Sequence, residues 1–130
     1  SGGEISRLML SLKALIAHAM ALPSIVFDEV DTGVSGEIAD KMAGIMREMA
    51  ECMQVISITH LPQVASLGQT HYRVYKSDTE TSTATYLIKL SEKERIEEIA
   101  RMLSGSSLTA AALDNARELL KRNDLKDGKK

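Results

Sequence analysis

The sequence predicts an α/β fold, with parallel strands flanked by helices and followed by a β-hairpin and C-terminal helices. Three observations carry that prediction. Two short apolar runs, at 24–27 and 55–59, are continuous rather than alternating, which suits strands covered on both faces of a parallel sheet. A segment with helical apolar spacing lies between them, giving the strand–helix–strand order of a right-handed βαβ unit. Downstream of Pro62 the pattern turns to alternation, the mark of antiparallel pairing with one face in water.

The first element covers about residues 4–22. Ile5, Leu8, Met9, Leu12, Leu15, Ile16, Ala19 and Met20 recur at helical spacing, and Arg7, Ser11 and Lys13 leave a narrower polar face. A helix this apolar is expected inside a layered domain, ended by Pro23. Ser24, Ile25, Val26 and Phe27 form the first strand, which stops abruptly at Asp28 and Glu29. A Gly-containing loop at 31–36 leads to a second helix of about 37–51, striped by Ile38, Met42, Ile45, Met46 and Met49. The second strand, 55–59, ends at His60. Residues 71–76 and 83–90 alternate on either side of the polar stretch 77–82 and read as a hairpin. Ser91 is placed to cap a helix of about 92–103, with Glu94 at the capping-box position and Gly105 just beyond the end. A last helix of about 109–122 uses Leu113, Ala116, Leu119 and Leu120, and the polar residues after it are expected to fray.

Composition narrows the function classes. At 130 residues the chain is one domain or part of a larger one, long enough to bury roughly two-thirds of its unfolded surface. Lys and Arg number 16 against 18 Asp and Glu, a formal net charge of −2, which argues against a basic face built to grip phosphate backbones. The aromatic residues are only Phe27, Tyr72, Tyr75 and Tyr86, too few for a base-stacking platform. Cys52 is the sole cysteine, so there is no internal disulfide or Cys-rich zinc site, and a reducing compartment fits. The apolar stretch 8–27 is broken by Lys13, His18 and Pro23, and no charged leader with a cleavage site precedes it; neither a membrane span nor secretion is expected, and the cytoplasm is the simplest setting. Lys121, Arg122, Lys126, Lys129 and Lys130 give the C-terminus a basic bias that Asp124 and Asp127 dilute, as in a solvated tail.

Open parallel sheets bind ligands beyond the carboxyl ends of their strands. The two strand ends here carry Asp28 and Glu29 on one and Thr59 and His60 on the other, so consecutive parallel strands bring Asp28, Glu29 and His60 to one edge. An apolar strand ending in Asp-Glu suits nucleotide hydrolysis: the first carboxylate holds magnesium through water and the second orients an attacking water. The bland alternative is that these acids solubilise a strand end and that His60 is a surface residue. His18, His60 and His71 are too scattered to propose as a metal cluster. Ser1, Gly2, Gly3 and Glu4 open the first helix, where small residues and free backbone N–H groups favour an approaching phosphate.

Together, S-G-G-E opening a helix, I-V-F-D-E ending a strand, a Gly-containing loop, and I-T-H ending the next strand make an ordered four-part pattern. It resembles the C-terminal lobe of P-loop ABC-type ATPase heads, with signature motif, Walker B, D-loop and switch histidine in that order. The wording S-G-G-E-I-S-R, F-D-E-V-D-T-G-V-S-G and T-H-L-P-Q-V-A is most similar to the SMC-like ATPases of bacterial DNA double-strand break repair and recombination. These motifs lie within residues 1–65, and the hairpin and helices that follow also fit that family's C-terminal end. The resemblance implies roles residue by residue. Asp28 supports magnesium through water, Glu29 polarises the hydrolytic water, and His60 reaches the γ-phosphate. Ser1, Gly2, Gly3 and Glu4 close over a nucleotide held by a second head, and Thr32, Gly33, Val34 and Ser35 form the D-loop at the dimer interface. ATP and Mg²⁺ are the implied cofactors. The implied partners are the N-terminal half of the same head, a second head in an ATP-dependent dimer, and DNA through the full-length protein, in a bacterial cytoplasm at the nucleoid.

Two features depart from the family pattern. Ser35 stands where many such D-loops end in Asp, and no G-x-x-x-x-G-K-[ST] occurs in the chain, so nothing in it cradles the β- and γ-phosphates. The heptad segment that separates the two halves of an SMC-like head is absent as well. The expectation is a C-terminal fragment, inactive alone: residues 1–90 the half-head, 91–123 a helical segment of the same domain, and 124–130 a polar tail. The competing expectation is a non-catalytic α/β interaction module whose acidic strand ends bind a cation or a protein.

Overall fold

The computed structural model describes residues 2–34, 36–105 and 107–127, with side chains through Asp124. The elements run α1 (Gly2–Ala19), β1 (Ser24–Asp28), α2 (Gly36–Met49), β2 (Gln54–Ile58), α3 (Pro62–Ala65), β3 (Tyr72–Asp78), β4 (Thr83–Lys89), α4 (Glu92–Ser104) and α5 (Ala110–Asp127). β1 and β2 pair in parallel, with Ser24 opposite Gln54 and Asp28 opposite Ile58, and α2 makes the crossover between them. The expected βαβ unit is therefore present.

Its core gathers on one side of that sheet. Phe27 is buried with Leu10 and Ala17 of α1, with Ala39, Met42, Ala43, Met46 and Met49 of α2, and with Val34 and Val64. Ile25 and Val55 pack against the same cluster, because alternate residues of a strand share a face. The opposite face differs from the expectation of strands covered on both sides. Val26, Ile56 and Ile58 are 60%, 46% and 51% exposed, since among the described residues nothing covers that face. α1 departs in the same way. It buries Leu10 and Ala17, while Leu8 and Leu15 are 67% and 69% exposed and Ile5, Leu12, Ile16 and Met20 are exposed beside them.

α1 also stops earlier than Pro23 alone would require. The Leu22 N–H reaches the Ala17 carbonyl and the Ala21 N–H reaches that of His18, with Ala21 at φ 51°. This is a Schellman closure with Ala rather than Gly in the left-handed position, a conformation costing roughly 1 kcal/mol for a residue with a Cβ.

The second half is a hairpin and a helix pair. β3 and β4 pair antiparallel, with Tyr75 opposite Tyr86 and their rings stacked at 5.3 Å. Ser91 caps α4 in a full capping box: its hydroxyl accepts from the Glu94 N–H, and the Glu94 carboxylate accepts from the Ser91 N–H. Ile99 and Ala100 of α4 are buried with Ala112 and Ala116 of α5. α5 continues to Asp127, past the expected end near residue 122, so the polar tail is helical that far.

The short helix α3, begun by Pro62 at its first position, was not visible in the apolar pattern. It is the joint between the two halves. Arg95 of α4 donates from Nη2 to the carbonyls of Ala65, Ser66 and Gly68, and Asn123 of α5 donates to the Ser66 hydroxyl at 2.8 Å in a buried contact.

Candidate functional site

The parallel register places the chemistry. Asp28 lies opposite Ile58 at the last paired position, and the next N–H, that of Glu29, donates to the Ile58 carbonyl at 2.9 Å. His60 follows two residues after Ile58. Asp28, Glu29 and His60 thus meet at the carboxyl edge of the β1–β2 pair, and all three are exposed.

Immediately beyond, the chain turns sharply. Glu29 takes φ 52°, a left-handed backbone that a side chain with a Cβ adopts only where its surroundings hold it. The Glu29 carbonyl accepts from the Thr32 N–H at 3.3 Å and from the Thr32 hydroxyl at 2.9 Å, and the Asp31 carbonyl accepts from the Val34 N–H at 3.0 Å. Val34 is buried in the core and pins the far end of the loop, while Thr32 and Gly33 project into solvent, with Gly33 at φ 77°. Ser35 lies outside the described residues.

Gly2, Gly3 and Glu4 form the first turn of α1, at the end of the helix where its dipole favours an anion. A Cβ on Gly3 would stand 3.6 Å from the Ile38 side chain, so the start of α1 lies against the first turn of α2. Ser1 lies outside the described residues. The motif at 2–4 therefore neighbours the first turn of α2, although more than thirty residues separate them in sequence.

The donor set suits magnesium in one particular way. Mg²⁺ keeps several waters and takes one or two carboxylates together with substrate phosphates, so a single exposed aspartate at a strand end fits it. Among the described residues no group of three or more His, Cys, Asp or Glu gathers to form a cage.

Sequence reasoning named Thr59 only as a polar residue at the strand end and did not single out Asp31. Asp31 is 1% exposed, and its Oδ2 accepts a hydrogen bond from the hydroxyl of Thr59. Nothing in the run Asp28, Glu29, Asp31 distinguishes the buried acid from the two exposed ones. The only sequence cue was the apolar Val34 three residues on, which draws the loop inward.

No protein-family model matches the chain. It is 47% identical over 120 residues to the DNA repair protein RecN of Rickettsia conorii, 42% to that of Haemophilus influenzae and 43% to that of Vibrio cholerae. Each match covers 92% of this chain and 22% of the relative, so the chain spans about a fifth of the length of these curated relatives. A solved structure from work on ATP-driven dimerization and DNA-stimulated activation of SMC ATPases aligns with a TM-score of 0.64 at 18% identity, covering 83% of this chain and 64% of that one. At that identity the likeness shows the fold, and it is the α/β head fold expected from the sequence. The chain is RecN-like over nearly all its length, with the fold of an SMC ATPase.

Proposed function

We propose, on the premise that this chain is the RecN-like C-terminal part of an SMC-type ATPase head, that it supplies the hydrolytic and dimer-facing elements of an ATPase acting in DNA double-strand break repair. The observation that carries this reading is the placement of Asp28, Glu29 and His60 at one carboxyl sheet edge, with the α1 N-terminus against the first turn of α2. A cation- or protein-binding module without catalysis would need neither arrangement.

Asp28 would hold magnesium through water, and such an ion would supply neutralisation of the negative charge on the phosphates of ATP. Glu29 orients the attacking water and accepts its proton. His60 donates a hydrogen bond to the γ-phosphate. Ser1, Gly2, Gly3 and Glu4 present the α1 N-terminus to the nucleotide of a second head, and Thr32, Gly33, Val34 and Ser35 cross the interface between heads. The cradle for the β- and γ-phosphates comes from outside these 130 residues, from the N-terminal half of the same head. That half covers the open sheet face of Val26, Ile56 and Ile58 and the exposed apolar side of α1. Residues 1–90 belong to the half-head and 91–123 to a helical segment fixed to it through α3, followed by a polar C-terminus. Contact with DNA is made by the full-length protein, in the bacterial cytoplasm at the nucleoid.

The test is Glu29→Gln in the full-length protein. An amide neither accepts the proton nor polarises the water, and general-base terms are worth about 10²–10⁴ in rate. Turnover should fall at least ~100-fold while ATP affinity, measured by calorimetry, stays near wild type. Turnover within a few-fold of wild type would remove Glu29 from the mechanism and return the non-catalytic reading.

A further inference from the structure

We propose that Asp31 and Thr59 are a positioning pair that locks the turn carrying Glu29 to the turn carrying His60, so that the two groups act on one γ-phosphate as a single rigid unit. This deepens the ATPase reading above and rests on it.

The contact is a closed ring of hydrogen bonds. Thr59 has one hydroxyl proton, which it donates to the Asp31 carboxylate. The same oxygen then accepts from the Leu61 N–H at 3.0 Å. This side-chain bond spans His60 and sets the bend of the chain there, as a Ser/Thr turn does. On the other side, Asp31 lies two residues after Glu29. The Glu29 N–H closes the ring by donating to the Ile58 carbonyl, one residue before Thr59. Residues 29–31 and 58–61 are therefore tied at both ends, by a backbone bond above and a side-chain bond below.

The side-chain tie is not easily replaced. Asp31 is 1% exposed, and its second oxygen, Oδ1, has no hydrogen-bond partner among the described residues. A buried carboxylate left without its donor bears the full desolvation penalty, and a hydroxyl-to-carboxylate bond is about twice as strong as a neutral one. The Glu29 backbone is held in its left-handed turn by the same loop, so freeing Asp31 releases Glu29 as well. Asp31 is buried and Thr59 half-buried beneath the exposed edge, so both act through their neighbours.

The test uses Thr59→Val in the full-length protein, which keeps the shape and removes the hydroxyl, with Thr59→Ser to restore it. Turnover is normalised to nucleotide-binding sites, so unfolded molecules do not count. Misplacing a catalytic group by about 1 Å costs roughly 10²-fold, so Thr59→Val should lower kcat about 10- to 100-fold. ATP affinity and KM should stay within about 3-fold, and Thr59→Ser should recover most of the rate, because the binding contacts are untouched and only orientation is lost. Thr59→Ala, read the same way, serves if the valine variant yields no folded protein. A kcat for Thr59→Val within about 2-fold of wild type overturns the pairing, as does an equal loss in Thr59→Ser. If wild type hydrolyses ATP and Glu29→Gln does not, either of those results condemns the pairing alone. If wild type is inactive, or Glu29→Gln turns over normally, the ATPase reading itself falls and the pairing with it.

Discussion

His71 shows how a residue outside the candidate site sets a pH limit on the fold. It is half-buried, its carbonyl accepts from the Leu90 N–H, and its Nδ1 has no hydrogen-bond partner among the described residues. Burial pushes its pKa below the usual 6.5, and the nearby Arg95 guanidinium adds to that shift while Glu98 opposes it. The neutral ring is thus the form the folded state prefers. Its contribution to stability is complete above pH 6.5 and is lost as pH falls through the lowered folded pKa, because the unfolded state takes up the proton first. Urea unfolding should show stability declining from pH 7.5 to 5.5, with a smaller decline in His71→Gln; identical slopes would mean the ring does not titrate differently in the two states. Legibility at this scale follows motif and not burial. Asp28, Glu29 and His60 could be found because an apolar run ends at each position. The pairing of Asp31 with Thr59 could not, because it is a contact across 28 residues that no local pattern encodes.

Local chemistry was the most readable property of the elements. The capping box at Ser91 and Glu94 was visible as a spacing, and so was Gly105, which ends α4 at φ 84°. The Ser91 backbone N–H and hydroxyl also hold the Glu94 carboxyl below its ordinary pKa. By contrast, α3 is four residues long and too short to show periodicity, and the closure of α1 depends on Ala21 in a conformation the sequence does not advertise. The extension of α5 to Asp127 is also tertiary in part, because Asn123 reaches the buried Ser66 hydroxyl beyond the expected helix end. Ser91→Ala should cost about 1 kcal/mol of unfolding free energy. Asn123→Ala should cost about 1 kcal/mol, because it removes one buried hydrogen bond while the Ser66 hydroxyl keeps the Gln63 carbonyl as its acceptor. Chemical denaturation checks both values, and an Asn123→Ala protein as stable as wild type would show that α5 is not anchored through α3.

Across the whole molecule, the feature the sequence misrepresented is coverage. Continuous apolar strands and a nearly all-apolar α1 were expected to be enclosed, yet Val26, Ile56 and Ile58 on the sheet and Leu8, Leu12 and Leu15 on α1 face outward. The reading of each segment as buried matches a molecule in which further chain supplies the cover, and the matched relatives are several times longer than these 130 residues. β2 pairs only with β1 among the described residues, so its outer edge offers unpaired backbone groups next to that apolar face. The isolated chain should therefore self-associate as concentration rises in a light-scattering series; a strict monomer at all concentrations would refute the exposed edge and face as sticky surfaces. The central claim is that this chain is the hydrolytic half of a divided ATPase head. It is tested most directly by mixing it with a separately produced N-terminal part of the full-length protein and measuring steady-state ATP hydrolysis. The account predicts that neither part alone hydrolyses ATP, that the mixture does, and that Glu29→Gln in this chain abolishes the restored activity. Hydrolysis by this chain alone, or a stable complex of the two parts with no activity, would contradict it.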